Sequence, residues 1–332
     1  MKGRSGHPAD WRPSADLQTA QCRARMLGIA RDFFAEHEVL EVETPALSMA
    51  AASDPQIESI AAYLQARPGQ DYFLHTSPEF AMKRLLCAGW PDIYQICRVF
   101  RDGEIGPRHQ PEFTMVEWYR RGITMNEMMQ HTVAFIARVL DLHEGMEQAH
   151  YISYTDAFRQ HAGVDPIEDS TAALIDAAGA DRQLREAVGD DRSAWLDLLL
   201  SSTVAPAFDR HRLTVLHHYP ATQAALARLC TEDASLADRF EIFHGETELA
   251  NGYSELNDAS EQERRCASDQ LTRKRSGQNE RPLDLDFLAA LRFGLPACCG
   301  VAIGFDRLVM VNTGATELQG VQSITAVKIE RG

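Results

Sequence analysis

Two runs rich in β-branched and aromatic residues, 93–100 and 112–119, flank a loop at 102–110 that carries glycine, proline and charge. That pattern predicts a long antiparallel hairpin and commits the chain to a sheet-based fold. Further strand signals stand at 39–42, closed by Thr44-Pro45 because proline lacks a ladder donor, and at 71–75, 213–218, 239–243 and 301–303. Helical patterns lie between them. Ser14 is a candidate N-cap for an amphipathic helix through Leu17, Met26, Ile29, Ala30, Phe33 and Phe34 that should end near His37 or Glu38. Ser77-Pro78-Glu79 offers a cap, a first-turn proline and a first-turn acid for a helix over 78–88. From about 125 to 207 the sequence is helical, Ala-rich and acidic, and reads as a helical insertion; 258–281 reads as a polar region. The whole is an α+β domain.

At 332 residues the chain has room for two domains, or for one large domain with an insertion. Its 33 Lys+Arg against 48 Asp+Glu leave a net charge of −15, which argues against a sequence-independent grip on nucleic acid, where cations must neutralise phosphates. No apolar run approaches the roughly 20 residues of a membrane span, and the first residues lead into no signal-type stretch, so a cytoplasmic protein is expected. The seven cysteines contain no C-x-x-C pair, so buried reduced thiols are expected, with Cys298 and Cys299 packing rather than acting as nucleophiles. The basic run Arg273-Lys274-Arg275 reads as a solvated loop.

The stretch from Tyr94 to Tyr119, with Arg101 before the loop and Glu112-Phe-Thr-Met-Val-Glu-Trp-Tyr after it, resembles motif 2 of class II aminoacyl-tRNA synthetases in their lysyl branch. Gly300-Val-Ala-Ile-Gly-Phe-Asp-Arg-Leu308 resembles motif 3, and the first helix with the strand ending at Pro45 would be motif 1. With Glu248-Leu-Ala-Asn-Gly-Tyr-Ser-Glu-Leu-Asn-Asp258, these motifs cover the chain from about residue 15 to its end. The resemblance implies an antiparallel sheet of six or seven strands flanked by helices, dimerised through motif 1. Lysyl-tRNA synthetases carry an N-terminal anticodon-binding domain of well over a hundred residues. Here a tail of 1–14 leaves no room for one, so 15–332 is expected to be a single catalytic domain. The chain therefore resembles the truncated branch of the family, the elongation factor P lysine ligases, which attach (R)-β-lysine to a lysine of that translation factor. The resemblance implies ATP and Mg²⁺ as cofactors, elongation factor P and β-lysine or lysine as partners, a homodimer, and no tRNA.

Activating a carboxylic acid with ATP needs alignment and charge neutralisation rather than a general base, because the acid is already ionised at pH 7. Arg101 suits the catalytic role, since a planar guanidinium can bridge the α-phosphate and the reacting carboxylate. Glu241 and Glu248 offer oxygens to Mg²⁺. The resemblance implies that Phe113 and Arg307 sandwich adenine, that Arg108, His109 and Gln110 reach the outer phosphates, and that Asp102, Gly103, Glu104, Leu249 and Gly304 complete the nucleotide site. It also puts Ser77, Pro78 and Glu79 near the substrate amine, with Glu117, Tyr119, Asn251 and Glu255 around the chain and its terminal ammonium. A buried ammonium needs a carboxylate, so Glu255 with Tyr119 is the expected lysine-specificity element.

Two positions depart from the family pattern. Gly103 stands where these synthetases usually have Glu, and the acid is displaced to Glu104. Ala302 stands where lysyl-tRNA synthetases usually have Gly, and its extra methyl could disfavour an α-amino group and suit a β-amino acid. The alternatives are a free-standing enzyme that charges tRNA or another acceptor, and an inactive regulatory paralogue. The joint presence of Arg101, Arg307, Glu241 and Glu248 argues against the second.

Overall fold

The computed structural model describes residues 11–142 and 149–327; most of the expected 1–14 tail lies outside them. In chain order the main strands are β1 (Leu40–Glu41), β5 (Ile93–Phe100), β6 (Glu112–Arg121), β7 (His150–Ser153), β8 (Leu213–Pro220), β9 (Leu236–His244), β10 (Thr247–Ser254) and β11 (Cys298–Gly304). They form one sheet in the order β1-β5-β6-β11-β10-β9-β8-β7. A small second sheet holds β2 (Leu47–Ser48), β4 (Tyr72–Leu74) and β3 (Ala61–Ala62) in that order. The expected hairpin is present as β5 and β6, paired antiparallel from Ile93↔Tyr119 to Phe100↔Glu112. The architecture is the expected α+β class, with two differences: the sheet has eight strands, and it is mixed. The end strands β1 and β7 pair parallel with β5 and β8, because each enters from a crossover rather than a tight hairpin.

Period-two alternation gives the sheet two unlike faces. One carries Val116, Trp118, Phe240, Ile242, Ala250, Val301 and Ile303, and buries them against α1 (Leu17–Glu36), α3 (Met125–Leu140) and α10 (Phe305–Thr313). The other carries Glu117, Tyr119, Arg239, Glu241, Asn251, Tyr253, Glu255 and Ala302, and lines a cavity. Register sets Glu117, Ala302, Asn251 and Glu241 in one row across four adjacent strands.

Asp16, not Ser14, caps α1: its carboxylate accepts from Thr19 N at 2.7 Å, while the Ser14 amide donates to Ser323 O. The helical stretch expected over 125–207 divides in two. The helix α3 starts on a Thr124/Glu127 capping box and belongs to the main core, because its Met128, Phe135 and Ile136 pack on the sheet. After β7, helices α4 (Tyr154–His161), α5 (Thr171–Ala177), α6 (Arg182–Val188) and α7 (Arg192–Leu199) gather around buried Trp195 in a separate cluster. The polar region 258–281 is mostly helix α8 (Ala259–Arg275), capped by Asp258. Arg273 is no solvated loop residue. It is fully buried, with its guanidinium bonded to Asp54 O, Asn279 O and the Glu58 carboxylate, so it ties α8 to the small sheet's loop. All seven cysteines are free thiols, and six are buried.

Candidate active site

The cavity has a volume of about 1110 Å³ and runs along the polar face of the sheet, from the 102–110 loop to the helix α2 (Glu79–Cys87). One end is basic. Arg101 follows β5, anchored by its amide to Pro111 O at 2.9 Å, and its guanidinium lies over Phe113 at 5.1 Å from the ring centroid. Its Nε is buried without a partner among the described residues, as are both amide atoms of Gln110. Arg307, in the first turn of α10, donates to Glu248 O at 2.9 Å, and its Nη2 sits 3.2 Å from His109 Nε2. Burial, then the Arg307 charge, holds His109 below its ordinary pKa, so the ring is neutral at pH 7 and offers a hydrogen bond rather than a charge. The cation–π partner shown for Phe113 is Arg101 rather than Arg307.

The loop itself explains one departure from the family pattern. Gly103 has φ +76°, a left-handed turn that glycine adopts freely, and Asp102 Oδ1 accepts from its amide. Asp102 and Gly103 do not line the cavity; the Asp102 amide is used on Glu58 O instead. Glu104 does line it, with Oε1 at 3.7 Å from Arg101 Nη1, so the displaced acid returns to the arginine across the glycine turn. Arg108 also lines it, but pairs with Glu246 at 2.5 Å near the surface. Leu249 and Gly304 lie in the wall; a Cβ on Gly304 would meet only the Arg307 side chain, at ordinary contact distance.

Midway, Glu241 and Glu248 bring carboxylates from β9 and β10 to the same wall. Burial pushes Glu241 up to about 7, despite a 2.5 Å contact with Arg239 Nη2, and the Glu248 charge adds to the rise. A buried carboxylate raised in part by a neighbouring carboxylate charge suits a hard divalent cation, whose charge would let Glu241 ionise. Glu241 and Glu248 would hold Mg²⁺.

The far end is acidic. Lys83, fully buried on α2, places Nζ 2.6 Å from Glu79 Oε1 and 2.5 Å from Glu255 Oε2. Glu117 accepts from Tyr119 OH at 2.6 Å and from Ser77 Oγ at 2.8 Å. Two carboxylates thus share one lysine, and a third, Glu117, stands beside them on hydroxyl donors. Burial pushes Glu117 up to about 7 and Glu255 up to about 8; Lys83 pulls both down but does not cancel the loss of water. Asn251 Oδ1 is buried in the same wall without a partner among the described residues. Gly300 is required here, because a Cβ would collide with the Glu255 carboxylate and the Tyr119 ring.

Of the residues singled out in the sequence, all but Asp102 and Gly103 line this one cavity. The structure changes one pairing: the partner of Tyr119 OH is Glu117, and that of Glu255 is Lys83. Sequence reasoning missed Lys83, whose i,i+4 spacing from Glu79 on a helix was the available signal, and Arg239, two residues before Glu241 on the same strand face. It missed Tyr219 as well, whose ring lies 4.3 Å from the Arg239 guanidinium.

A basic end and an acidic end on the polar face of this mixed sheet suit a protein that holds a nucleotide beside an amine-bearing acid. The family described as tRNA synthetases class II (D, K and N) matches residues 8–326, and the chain belongs to it. Within that family it falls in the branch of the elongation factor P--(R)-beta-lysine ligases. It is 41% identical to the protein of that name from Haemophilus ducreyi over 319 residues, 95% of each chain. It is 42% identical to that of Sodalis glossinidius over 94% of this chain and 96% of the other. It is 40% identical to that of Salmonella paratyphi B over 96% and 98%. Similarity of this extent supports a ligase of this general kind. No helix among the described residues is long and apolar enough to cross a membrane.

Proposed function

We propose that the protein activates (R)-β-lysine with ATP and transfers it to a lysine ε-amine of elongation factor P. The observation that carries this reading is the polarity of one cavity: arginine and glutamine atoms without partners among the described residues at one end, and Glu79, Glu117 and Glu255 with one lysine at the other. A zwitterionic amino acid with a second amine fits that polarity, with its carboxylate toward Arg101 and an ammonium toward Glu117 and Glu255. In the first step a carboxylate oxygen attacks the α-phosphorus, the bond to the β-phosphate oxygen breaks, and pyrophosphate leaves. Arg101 and Arg307 neutralise the charge that develops. Glu241 and Glu248 would hold Mg²⁺, which would supply further neutralisation of phosphate charge. Phe113 gives the adenine an apolar face, His109, Gln110 and Arg108 stand where the outer phosphates leave, and Asn251 orients the substrate. In the second step the acceptor amine attacks the acyl carbon, AMP leaves, and the amine's proton passes to solvent. The chain acts as a homodimer through the α1 region, and tRNA is not its acceptor.

The test is to incubate the protein with ATP, Mg²⁺ and either (R)-β-lysine or α-lysine, adding elongation factor P in one arm and bulk tRNA in another. Intact mass of each acceptor is the readout. A mass gain on elongation factor P, larger with β-lysine, is expected. Gain on tRNA alone, or pyrophosphate exchange with neither lysine, overturns the reading.

A further inference from the structure

On the opposite face of the sheet from the cavity, the pairing of β8 with β9 is irregular: the register shifts between His217↔Phe240 and Tyr219↔Ala237, so that Asp238 and Arg239 of β9 stand against His218 alone. His218 at that point has φ +58°, a left-handed conformation uncommon outside glycine that histidine tolerates better than most side chains. In a regular strand adjacent side chains point to opposite faces, yet here the Nδ1 atoms of His217 and His218 lie 2.6 Å apart. A contact that short fixes one ring as donor and the other as acceptor, and an imidazole oriented through one nitrogen offers its second to a ligand.

His218 meets two groups there. Cys230 is buried, and its Sγ lies 3.0 Å from Asp238 Oδ1. Asp238 is also buried; its other oxygen accepts from Arg228 Nε at 2.8 Å, which aims Oδ1 at the cysteine. The ligand atoms of His218, Cys230 and Asp238 all lie within 4.8 Å of one another. Around a tetrahedral zinc, bonds of about 2.0–2.3 Å put ligand atoms roughly 3.3–3.7 Å apart, so closing the cluster needs side-chain movement of about an ångström. The groove over it is lined by Thr231, Glu232 and Arg228, with Met125 and Met129 on its α3 side, and Glu232 is the carboxylate there that could reach a fourth position.

We propose that His218, Cys230 and Asp238 form a transition-metal site, separate from the ATP and amino-acid cavity, that takes Zn²⁺. One nitrogen, one sulfur and one carboxylate oxygen are a borderline-soft donor set that fits zinc and excludes Mg²⁺ and Ca²⁺, which want oxygens alone. Binding forms the metal–sulfur bond as the Cys230 S–H gives its proton to solvent; no electron changes hands. Water or Glu232 fills the fourth position.

The test uses the full-length protein, freed of metal with a chelator and titrated with Co²⁺ as the spectroscopic probe. One equivalent should produce a near-ultraviolet thiolate-to-cobalt charge-transfer band, and Zn²⁺ should abolish it. The oxygen ligands Glu241 and Glu248 cannot give this band, so cobalt bound there does not imitate the result. Cys230→Ser should lose the band and keep pyrophosphate exchange. His218→Asn, which tolerates the left-handed backbone, should weaken Co²⁺ binding by about tenfold or more. A folded wild-type protein that gives no band overturns the proposal, as does a band of full intensity in Cys230→Ser.

Discussion

Binding of the diamino acid should expel protons. Four elements surround the pocket: α2 with Glu79, Lys83 and Cys87, β6 with Glu117 and Tyr119, β10 with Tyr253 and the adjoining Glu255, and β11 with Cys298. Lys83 is the one cation among these residues. With Glu117 near 7 and Glu255 near 8, the empty pocket at pH 7 holds about one to one and a half protons that the carboxylates surrender when an ammonium enters. The sign follows: as pH rises, fewer protons must leave, so affinity rises. Between pH 6 and pH 8 the dissociation constant for lysine or β-lysine should fall by at least about tenfold per pH unit, then flatten above pH 8, while the substrate's side-chain-type amine, with a pKa near 10.4, stays charged. Calorimetry in two buffers of different ionisation enthalpy counts the protons directly. Glu117→Gln should remove its share and shallow the slope. Binding that releases no protons and is flat from pH 6 to 8 would refute the reasoning, whereas no binding of either lysine isomer would refute the proposed substrate instead.

Other outcomes follow from the same geometry. The raised Glu117 and Glu255 stabilise the ligand-free fold fully below about pH 4.5, and that contribution is lost as pH climbs through 7 and 8, so the melting temperature without ligands should decline over that window, read by calorimetric scans. Arg101→Ala should cut pyrophosphate exchange by about 10²–10³ with the melting temperature unchanged, since it removes a charge-stabilising donor from a cavity wall; a wild-type rate would refute its role. Lys83→Met leaves Glu79 and Glu255 without the cation they share and, above pH 8 where Glu255 is ionised, should cost about 3–5 kcal/mol in denaturant unfolding; an unchanged midpoint there would show that the ion pair is not a structural clamp. Ala302→Gly removes a methyl that lies between Glu117 and Asn251, and should shift the ratio of specificity constants toward α-lysine by about 10–200-fold in pyrophosphate exchange. An unaltered ratio would place the discrimination elsewhere.

The hairpin at 93–121 was legible in the sequence because β-branched runs and a turn-rich loop are local signals, and the motifs around Arg101, Glu248 and Arg307 carried most of the cavity with them. Helix ends were legible to within a residue or two: Asp16 and Ser14 are both capping types, and only the chain's return past Ser323 decides which serves. The 258–281 region is polar as read, but that it forms the helix α8 was not legible, because α8 buries only Gln262, Cys266 and Arg273, too few for an apolar stripe. Parallel pairing of β1 and β7 was out of reach, since two- and four-residue strands carry no partner information. The sequence by itself determined the class of fold and which residues face the cavity, because alternation along a strand is a local property. Which carboxylate answers which cation was decided only by tertiary structure. Lys83 comes from a helix and Glu255 from the end of a strand 172 positions later, and nothing local to either says that they meet at 2.5 Å.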